Sequence, residues 1–313
     1  MPDAGRLDTV LGQTRPMRVM HEGQWNISAP TVRRMVGQQF PAWSELAVTR
    51  VPSDGTVNTL FRLGEDLVLR FPLLPHAEPS RRGELVEAHR LVAALAARVA
   101  VTVPVPLEIG EPADGYPGFW GVSRWIPGHA ADRGRIRDLD AFARDLASFV
   151  SALHSVPTEE IRWDKVSRGG PLRECDQKVR WCIEQSAGLV DSTRIGAAWD
   201  ECLAATGDAI DDVWLHADLM PGNLLVRDGR LAGVIDWEMM GVGDGAVDLM
   251  PAWNLLPAGP RETFREVLAV DDRTWARGRG WSLCQAIVAL PYYARTNKVM
   301  ADLAVRTLAA VSG

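Results

Sequence analysis

The spacing of apolar residues changes along the chain, from strand-like in its first third to helical in the rest. Three short runs, LAVTRV, NTLFRL and LVLRFP, are separated by turn residues and predict an antiparallel meander. From about residue 138 onward, apolar residues recur at helical spacing in one segment after another. A strand-rich part followed by a helix-rich part is typical of an α+β protein with a cleft between two lobes.

Two segments before residue 138 also have helical spacing. Residues 28–40 combine Ser28 as an N-cap, a proline in the first turn and an apolar stripe, which predicts a helix. Residues 80–99 predict a second, longer helix. The runs VPVPLEIG and FWGVSRWIPG return to strand character. We therefore expect a small antiparallel sheet with one main helix in this part of the chain.

The remainder predicts a mostly helical lobe that is interrupted once, by a polar loop with two short strands, NLLV and AGVID. The predicted helices cover residues 139–156, 172–190, 197–213, 246–256, 260–270, 274–294 and 301–311. From these patterns we divide the chain into an N-terminal tail left out of the fold (1–24), a first lobe (25–123), a hinge (124–128) and a second lobe (129–313).

The charge of the chain restricts its partners. The formal net charge is −6, and the acidic excess lies in residues 129–313, which hold 27 acidic and 21 basic side chains. Residues 195–226 contain no lysine or arginine but six acidic side chains: Asp200, Glu201, Asp208, Asp211, Asp212 and Asp218. This distribution argues against nucleic acid as a partner. It is compatible with a cationic small molecule, although an acidic run is more often a solvated helix face.

Other classes of protein are disfavoured by what the sequence lacks. It has no run of about 18 apolar residues and no apolar secretory signal, so we expect neither a membrane span nor export. The four cysteines form no CxxC pair and are expected to be free thiols in the cytoplasm. The patterns GxxxxGK[ST], GxSxG and HExxH are missing. Nothing indicates an oligomeric state.

The most specific pattern is LHADLMPGNLLV, followed shortly by VIDWE. It places Asp218, Asn223 and Asp236 beside strand-like segments. Asp218 can accept the proton of an incoming hydroxyl, while the side-chain oxygens of Asn223 and Asp236 are hard ligands that suit Mg²⁺. Each residue alone could be a turn former. Three of them at these spacings favour a site that aligns a phosphate, a metal ion and a hydroxyl.

The order H-x-D-x(4)-N, with an aspartate ending a later strand, matches protein-kinase-like phosphotransferases. On these residues the chain resembles the aminoglycoside phosphotransferase family over roughly residues 30–300. The resemblance implies a protein-kinase-like two-lobed fold with Mg²⁺ and either ATP or GTP as co-substrate. Asp218 would be the catalytic base, with Asn223 and Asp236 as metal ligands. His216 and Asp248 would support the loop structurally.

The resemblance also implies a nucleotide site in the first lobe. In the turn SDGTVN, the backbone around Gly55, Thr56 and Asn58 would approach phosphate oxygens, although any hairpin can contain Asp-Gly. Arg70 occupies the position of the phosphate-binding lysine of protein kinases. It keeps the charge but has a planar fork, so its phosphate contacts must differ.

A glutamate on the following helix is expected to pair with Arg70. Glu87 fits best, because apolar residues follow it at helical spacing, and Glu84 lies one turn earlier and stays open. Either could also be a surface residue without this function. By resemblance only, backbone groups of Trp125 and Ile126 would bind the adenine edge.

The acceptor is expected to be a small molecule rather than a protein. Ala217 precedes the proposed base, where regulated protein kinases often have an arginine, and only about ten residues separate Asp236 from the next helix, too few for a peptide platform. We expect an O-phosphotransferase acting on a cationic, aminoglycoside-type antibiotic. A macrolide or a metabolite such as an amino alcohol or sugar is the alternative acceptor, and a nucleotide-binding pseudokinase is the other class considered.

Overall fold

The computed structural model describes residues 21–53, 55–131, 134–205 and 211–313. Most of the predicted tail, and Asp208 of the acidic segment, lie outside these residues. The described helices are α1 (Ala29–Gln39), α2 (Pro79–Ala96), α3 (Leu139–His154), α4 (Asp176–Gln185), α5 (Ser192–Ala204), α6 (Pro251–Asn254), α7 (Ala258–Leu268), α8 (Asp272–Tyr293) and α9 (Lys298–Ser312). The described strands are β1 (Val48–Arg50), β2 (Asn58–Leu63), β3 (Leu67–Pro72), β4 (Pro106–Gly110), β5 (Trp120–Arg124), β6 (His129–Ala130), β7 (Asp212–Leu215), β8 (Leu224–Arg227), β9 (Arg230–Val234) and β10 (Gly241–Asp244).

The first five strands form one antiparallel sheet in the order β1-β2-β3-β5-β4, which contains the predicted meander. Side chains of β2 and β3 alternate between buried and half-buried positions, as a sheet with one covered face requires. Helix α1 packs its buried stripe of Val32, Met35 and Val36 into the same cluster as the sheet. The side chain of Ser28 accepts a hydrogen bond from the Thr31 N–H, so the predicted N-cap is confirmed.

Aromatic residues fill the core of this sheet. The Phe71 ring stacks on Trp120, with ring centroids 4.8 Å apart, and meets Phe61 and Tyr116 edge-on. All four side chains are at most 1% exposed. Such offset-stacked and edge-to-face pairs add to the free energy gained from burial alone.

Helix α2 lies between β3 and β4 in the chain, but it is buried mainly against the larger, helical part of the molecule. Val92 and Leu95 belong to the larger hydrophobic cluster, together with Val103 in the segment after the helix. The rest of α2 is half-buried or exposed. Packing of Val92 and Leu95 therefore decides which face of α2 turns toward the interior.

The larger cluster is built mainly from helices. Asp138 caps α3 by accepting the N–H groups of Asp140 and Ala141, and a continuous apolar face of α3 is buried. Helix α8 crosses the centre of the cluster. A Cβ at Gly278 would lie 2.7 Å from Leu249, and one at Gly280 would lie 2.4 Å from Leu172. These two glycines allow neighbouring elements to approach α8 closely.

Short strands flank the polar loop, and one of them lies where the end of a helix was predicted. The predicted helix at residues 197–213 is wrong at its end, because α5 stops at Ala204 and Asp212–Leu215 form β7. Strand β7 pairs antiparallel with β10, so hydrogen bonds between distant segments override the local pattern. Strands β6, β8 and β9 form a second small sheet. Among the helices in the described ranges, none is long and apolar enough to cross a bilayer.

Replacing Phe71 by alanine should destabilise the sheet. The ring is fully buried and contacts three other aromatic rings, so the substitution leaves a cavity that the β-strands cannot close. We expect a loss of about 3–5 kcal/mol in the free energy of unfolding. Urea unfolding followed by circular dichroism measures it, and Val86→Ala on the exposed face of α2 is the control. Equal stability of the two variants would contradict this packing.

Candidate active site

The loop after β7 is held by His216, whose side chain is fully buried. Its Nδ1 accepts the Asp218 N–H at 3.2 Å, so its Nε2 carries the proton and donates to the Ile235 carbonyl at 3.0 Å. Burial lowers the pKa of His216, and the nearby carboxylates of Asp248, Asp218 and Asp236 only partly oppose this effect. The imidazole is therefore neutral and ties the loop to the segment after β9.

A buried carboxylate holds the same loop from the other side. Asp248 is 0% exposed and accepts the N–H of His216 at 3.0 Å and the N–H of Ala217 at 2.8 Å. His154 of α3 contacts it at 3.2 Å. These donors stabilise a left-handed backbone at Ala217, where φ is 62°. As a result, the side chains of His216 and Asp218, which flank Ala217, point to different sides of the loop and have different partners.

Both oxygens of the Asp218 carboxylate have partners. Asn223 donates through Nδ2 to Asp218 Oδ2 at 3.0 Å and to its backbone carbonyl at 2.9 Å. Arg168 donates to Asp218 Oδ1 at 2.5 Å and to the Ala217 carbonyl at 2.9 Å. Because the Asn223 nitrogen faces Asp218, its side-chain oxygen faces the other way, and no described residue donates to it. That oxygen is free to bind a metal ion.

Asp236 lies next to this group. The Ile235 N–H donates to the Asn223 backbone carbonyl at 2.9 Å, which brings residues 223 and 236 side by side. Asp236 has a left-handed backbone, with φ of 68°, an unusual conformation that is common at functional sites. The Asp236 carboxylate and the Asn223 amide oxygen are the type of ligand that Mg²⁺ prefers. The residues present therefore fit the implied metal ion.

Arg70 on β3 reaches across to this acidic group. Its Nη2 donates to Asp236 Oδ1 at 2.8 Å and to Glu238 Oε1 at 2.7 Å. Burial acts to lower the pKa of Arg70, but the two carboxylates outweigh burial and raise it above its ordinary value. Arg70 is thus a fixed cation at the boundary between the sheet and the helical part.

The expected pairing of Arg70 with a glutamate of α2 is wrong in this structure. Glu87 pairs with Arg90 at 2.7 Å, and Glu84 pairs with Arg81 at 3.0 Å, both within the exposed face of the helix. The rotation of α2 that buries Val92 turns His89, and not Glu87, toward Arg70. Burial, and then the charge of Arg70, lower the pKa of His89.

A cavity of about 430 Å³ lies beside Arg70 and is lined by residues from both parts of the chain. Thr56 and Asn58, from the predicted phosphate-binding turn, line it, whereas Gly55 does not. The N–H of Gly55 donates instead to Ser53 Oγ at 2.9 Å. Across the cavity from the sheet lie Trp237 and Glu238. Its place between sheet and loop is where a nucleotide is expected in this architecture.

Trp125 and Ile126, the expected adenine contacts, directly follow β5. The Trp125 N–H donates to the Asp66 carbonyl at 2.7 Å and so extends the pairing of β3 with β5. Ile126 is 8% exposed and packs near Gly233. Neither residue lines the cavity, which is bordered on β5 by Gly121 and Ser123. The adenine contact of Trp125 and Ile126 stays a prediction.

Sequence reasoning also missed Arg168 and Glu238. Arg168 lies fifty residues before its partner Asp218, in a loop with no motif. Glu238 was visible only as an acid two residues after Asp236.

The acidic segment of residues 195–226 is partly neutralised, since Asp200 pairs with Arg180 at 2.7 Å and Glu201 pairs with Arg279 at 3.0 Å. The described cysteines are free, as expected.

The buried His216 should make stability depend on pH. Its folded-state pKa is lowered, so the unfolded chain binds this proton more readily, and the free energy of unfolding falls as pH drops below about 6.5. We expect the wild type to lose stability more steeply than His216→Asn between pH 7.5 and 5.5. Urea unfolding at several pH values tests this, with exposed His76→Asn as the control. Parallel curves for wild type and His216→Asn would contradict it.

Comparisons with known proteins agree with this fold. Aminoglycoside 3'-phosphotransferase of Escherichia coli is 32% identical over 120 residues, which cover 36% of this chain and 42% of that relative. The GDP complex of aminoglycoside 2'-phosphotransferase-IIIa has a TM-score of 0.67 at 18% identity, covering 91% of this chain and 98% of that one. A macrolide 2'-phosphotransferase from Brachybacterium faecium has a TM-score of 0.58 at 20% identity, covering 90% and 97%. The phosphotransferase enzyme family matches residues 48–281, and the chain belongs to this family.

Proposed function

We propose that this protein transfers the γ-phosphoryl group of ATP or GTP to a hydroxyl of a small molecule, and that an aminoglycoside-type antibiotic is the acceptor. One observation carries the proposal. Asn223 donates to the Asp218 carboxylate, and its backbone carbonyl accepts the N–H of Ile235, so Asp218, Asn223 and Asp236 lie together. Arg70, which pairs with Asp236, lies on the wall of the neighbouring cavity.

Each residue has a role in that reaction. Asp218 accepts the proton of the acceptor hydroxyl while the hydroxyl oxygen forms a bond to the γ-phosphorus and the bond from that phosphorus to the β-phosphate oxygen breaks. Asn223 orients the Asp218 carboxylate through its Nδ2, and its own oxygen is available to the metal ion together with Asp236. Mg²⁺, when bound, neutralises charge on the phosphates. Arg70 contacts the phosphates from the sheet side.

The nucleotide enters the cavity between the sheet and the loop. Support comes from the solved relatives, which include GDP complexes. The lining by Thr56 and Asn58 keeps the turn as the proposed phosphate contact. For the adenine edge, the backbone groups of Trp125 and Ile126 remain the proposed contacts, because those of Gly121 and Ser123 lie in β5 between β3 and β4 and are engaged in the sheet. Since ATP and GTP are nucleotides of the cytosol, the proposed reaction takes place there.

The acceptor approaches Asp218 from the helical part. Support for an antibiotic comes from the relatives, whose names refer to aminoglycosides and macrolides, including a complex with kanamycin. A cationic acceptor fits the acidic excess of the second part, although Asp200, Glu201 and Asp218 of the acidic segment are each paired with an arginine. The macrolide 2'-phosphotransferase neighbour keeps a macrolide as the second candidate. A pseudokinase is disfavoured, because a nucleotide-binding scaffold has no need of Asp218 as a base.

Removing the base tests the proposal. Asp218→Ala should reduce Mg²⁺-dependent phosphoryl transfer by roughly 10²–10⁴ and leave nucleotide binding largely intact. Turnover is measured with ATP and GTP against a panel of aminoglycosides, macrolides and amino alcohols. Asp302→Ala, in an exposed pair with Lys298 on α9, is the matched control and should behave as wild type. Full turnover by Asp218→Ala would remove Asp218 from the mechanism, and an absence of transfer to every acceptor would remove the proposed substrate class.

A further inference from the structure

We propose that Glu238 is the carboxylate that positions Arg70 for phosphate contact, in the place that the family resemblance gave to a glutamate of α2. This inference rests on the proposed function, because it assumes that Arg70 meets the phosphates of a bound nucleotide. Glu238 is a positioning residue in this scheme. It acts on the nucleotide through Arg70.

Three segments meet at Glu238. Its Oε1 accepts a hydrogen bond from Arg70 Nη2 on β3 at 2.7 Å and from Asn58 Nδ2 on β2 at 2.8 Å. Asn58 belongs to the turn that lines the cavity. A single carboxylate on the helical side thus fixes both a cation and an amide on the sheet side, and both of these point to the region proposed for the phosphates.

Asp236 is not available to position Arg70 once it binds the metal ion. In the structure, one nitrogen of Arg70 donates to both Asp236 and Glu238. Once the Asp236 carboxylate binds the metal ion, its attraction for Arg70 is shared with a much stronger charge. Glu238 then remains as the carboxylate that holds the guanidinium in place.

The position of Glu238 is well fixed by its neighbour. Trp237 is 5% exposed, donates through its indole N–H to the Val234 carbonyl at 3.0 Å and packs against His216 with ring centroids 4.9 Å apart. The glutamates of α2 have no such support. The side chains of Glu84 and Glu87 are 59% and 55% exposed, and each already pairs with an arginine of its own helix.

The test measures nucleotide affinity, which needs no acceptor. Binding of ATP and of ADP, each with Mg²⁺ and with EDTA, is titrated for wild type, Glu238→Gln and Glu87→Gln. We expect Glu238→Gln to weaken binding in Mg²⁺ by about tenfold to a hundredfold, because a charge-assisted hydrogen bond to the phosphate-binding cation is lost. Glu87→Gln, a matched change of the same residue type, should bind as wild type. Glu238→Asp should recover part of the loss.

A double-mutant cycle separates positioning from a general structural effect. If Glu238 acts through Arg70, Glu238→Gln should weaken binding far less in an Arg70→Met background than in the wild type. The side chain of Glu238 is 43% exposed, so the glutamine variant should fold, and its thermal unfolding temperature verifies this. Additive losses in the cycle would overturn the inference.

Three further outcomes separate a failure of this inference from a failure of the proposed function. Loss of affinity in Glu87→Gln with none in Glu238→Gln would overturn the inference, because the helix glutamate would then move to Arg70 when nucleotide binds. Nucleotide binding with the expected coupling, but without transfer to any acceptor, would overturn the proposed acceptor class and leave the role of Glu238 supported. A wild type that binds neither ATP and ADP nor GTP and GDP would overturn both.

Discussion

The geometry of the site depends on one buried carboxylate. Asp248 has no exposure to solvent, and such a group is stable only where donors surround it. Two of its donors are consecutive backbone N–H groups, of His216 and Ala217, so its burial and the shape of the loop require each other. The left-handed turn at Ala217 then gives His216 an inward partner and Asp218 an outward one. The left-handed backbone at Ala217 thus leaves His216 to support the loop and Asp218 to serve as the proposed base.

The sheet and the helical part meet at this site through charge as well as through apolar contact. Arg70 bonds two carboxylates that follow β9, and Asn58 bonds one of them. Ordered ion pairs of this kind can exchange partners when a more highly charged ligand arrives, which dense apolar packing cannot do. This arrangement suits an enzyme whose co-substrate carries several negative charges.

The parts that could be predicted are those encoded locally. The cap at Ser28 and the alternation in β2 and β3 are properties of neighbouring residues. The failures have a different origin. On α2, Val92 and Leu95 are buried as helical spacing predicts, but Glu87 lies on the exposed side of the helix and pairs with Arg90. Strand β7 exists because β10 lies beside it. Arg168 carries no local signal at all, because its role comes from a fold that brings residues fifty positions apart together.

The contact of Arg168 with Asp218 affects how well Asp218 discriminates an acceptor hydroxyl from water. In the resting enzyme both carboxylate oxygens are satisfied, one by a guanidinium and one by an amide. A hydroxyl that approaches Asp218 must compete with these two donors. A water molecule competes poorly, because it lacks the binding energy that the non-reacting part of a larger acceptor supplies. In the proposed reaction, this competition would keep water from consuming the nucleotide when no acceptor is present.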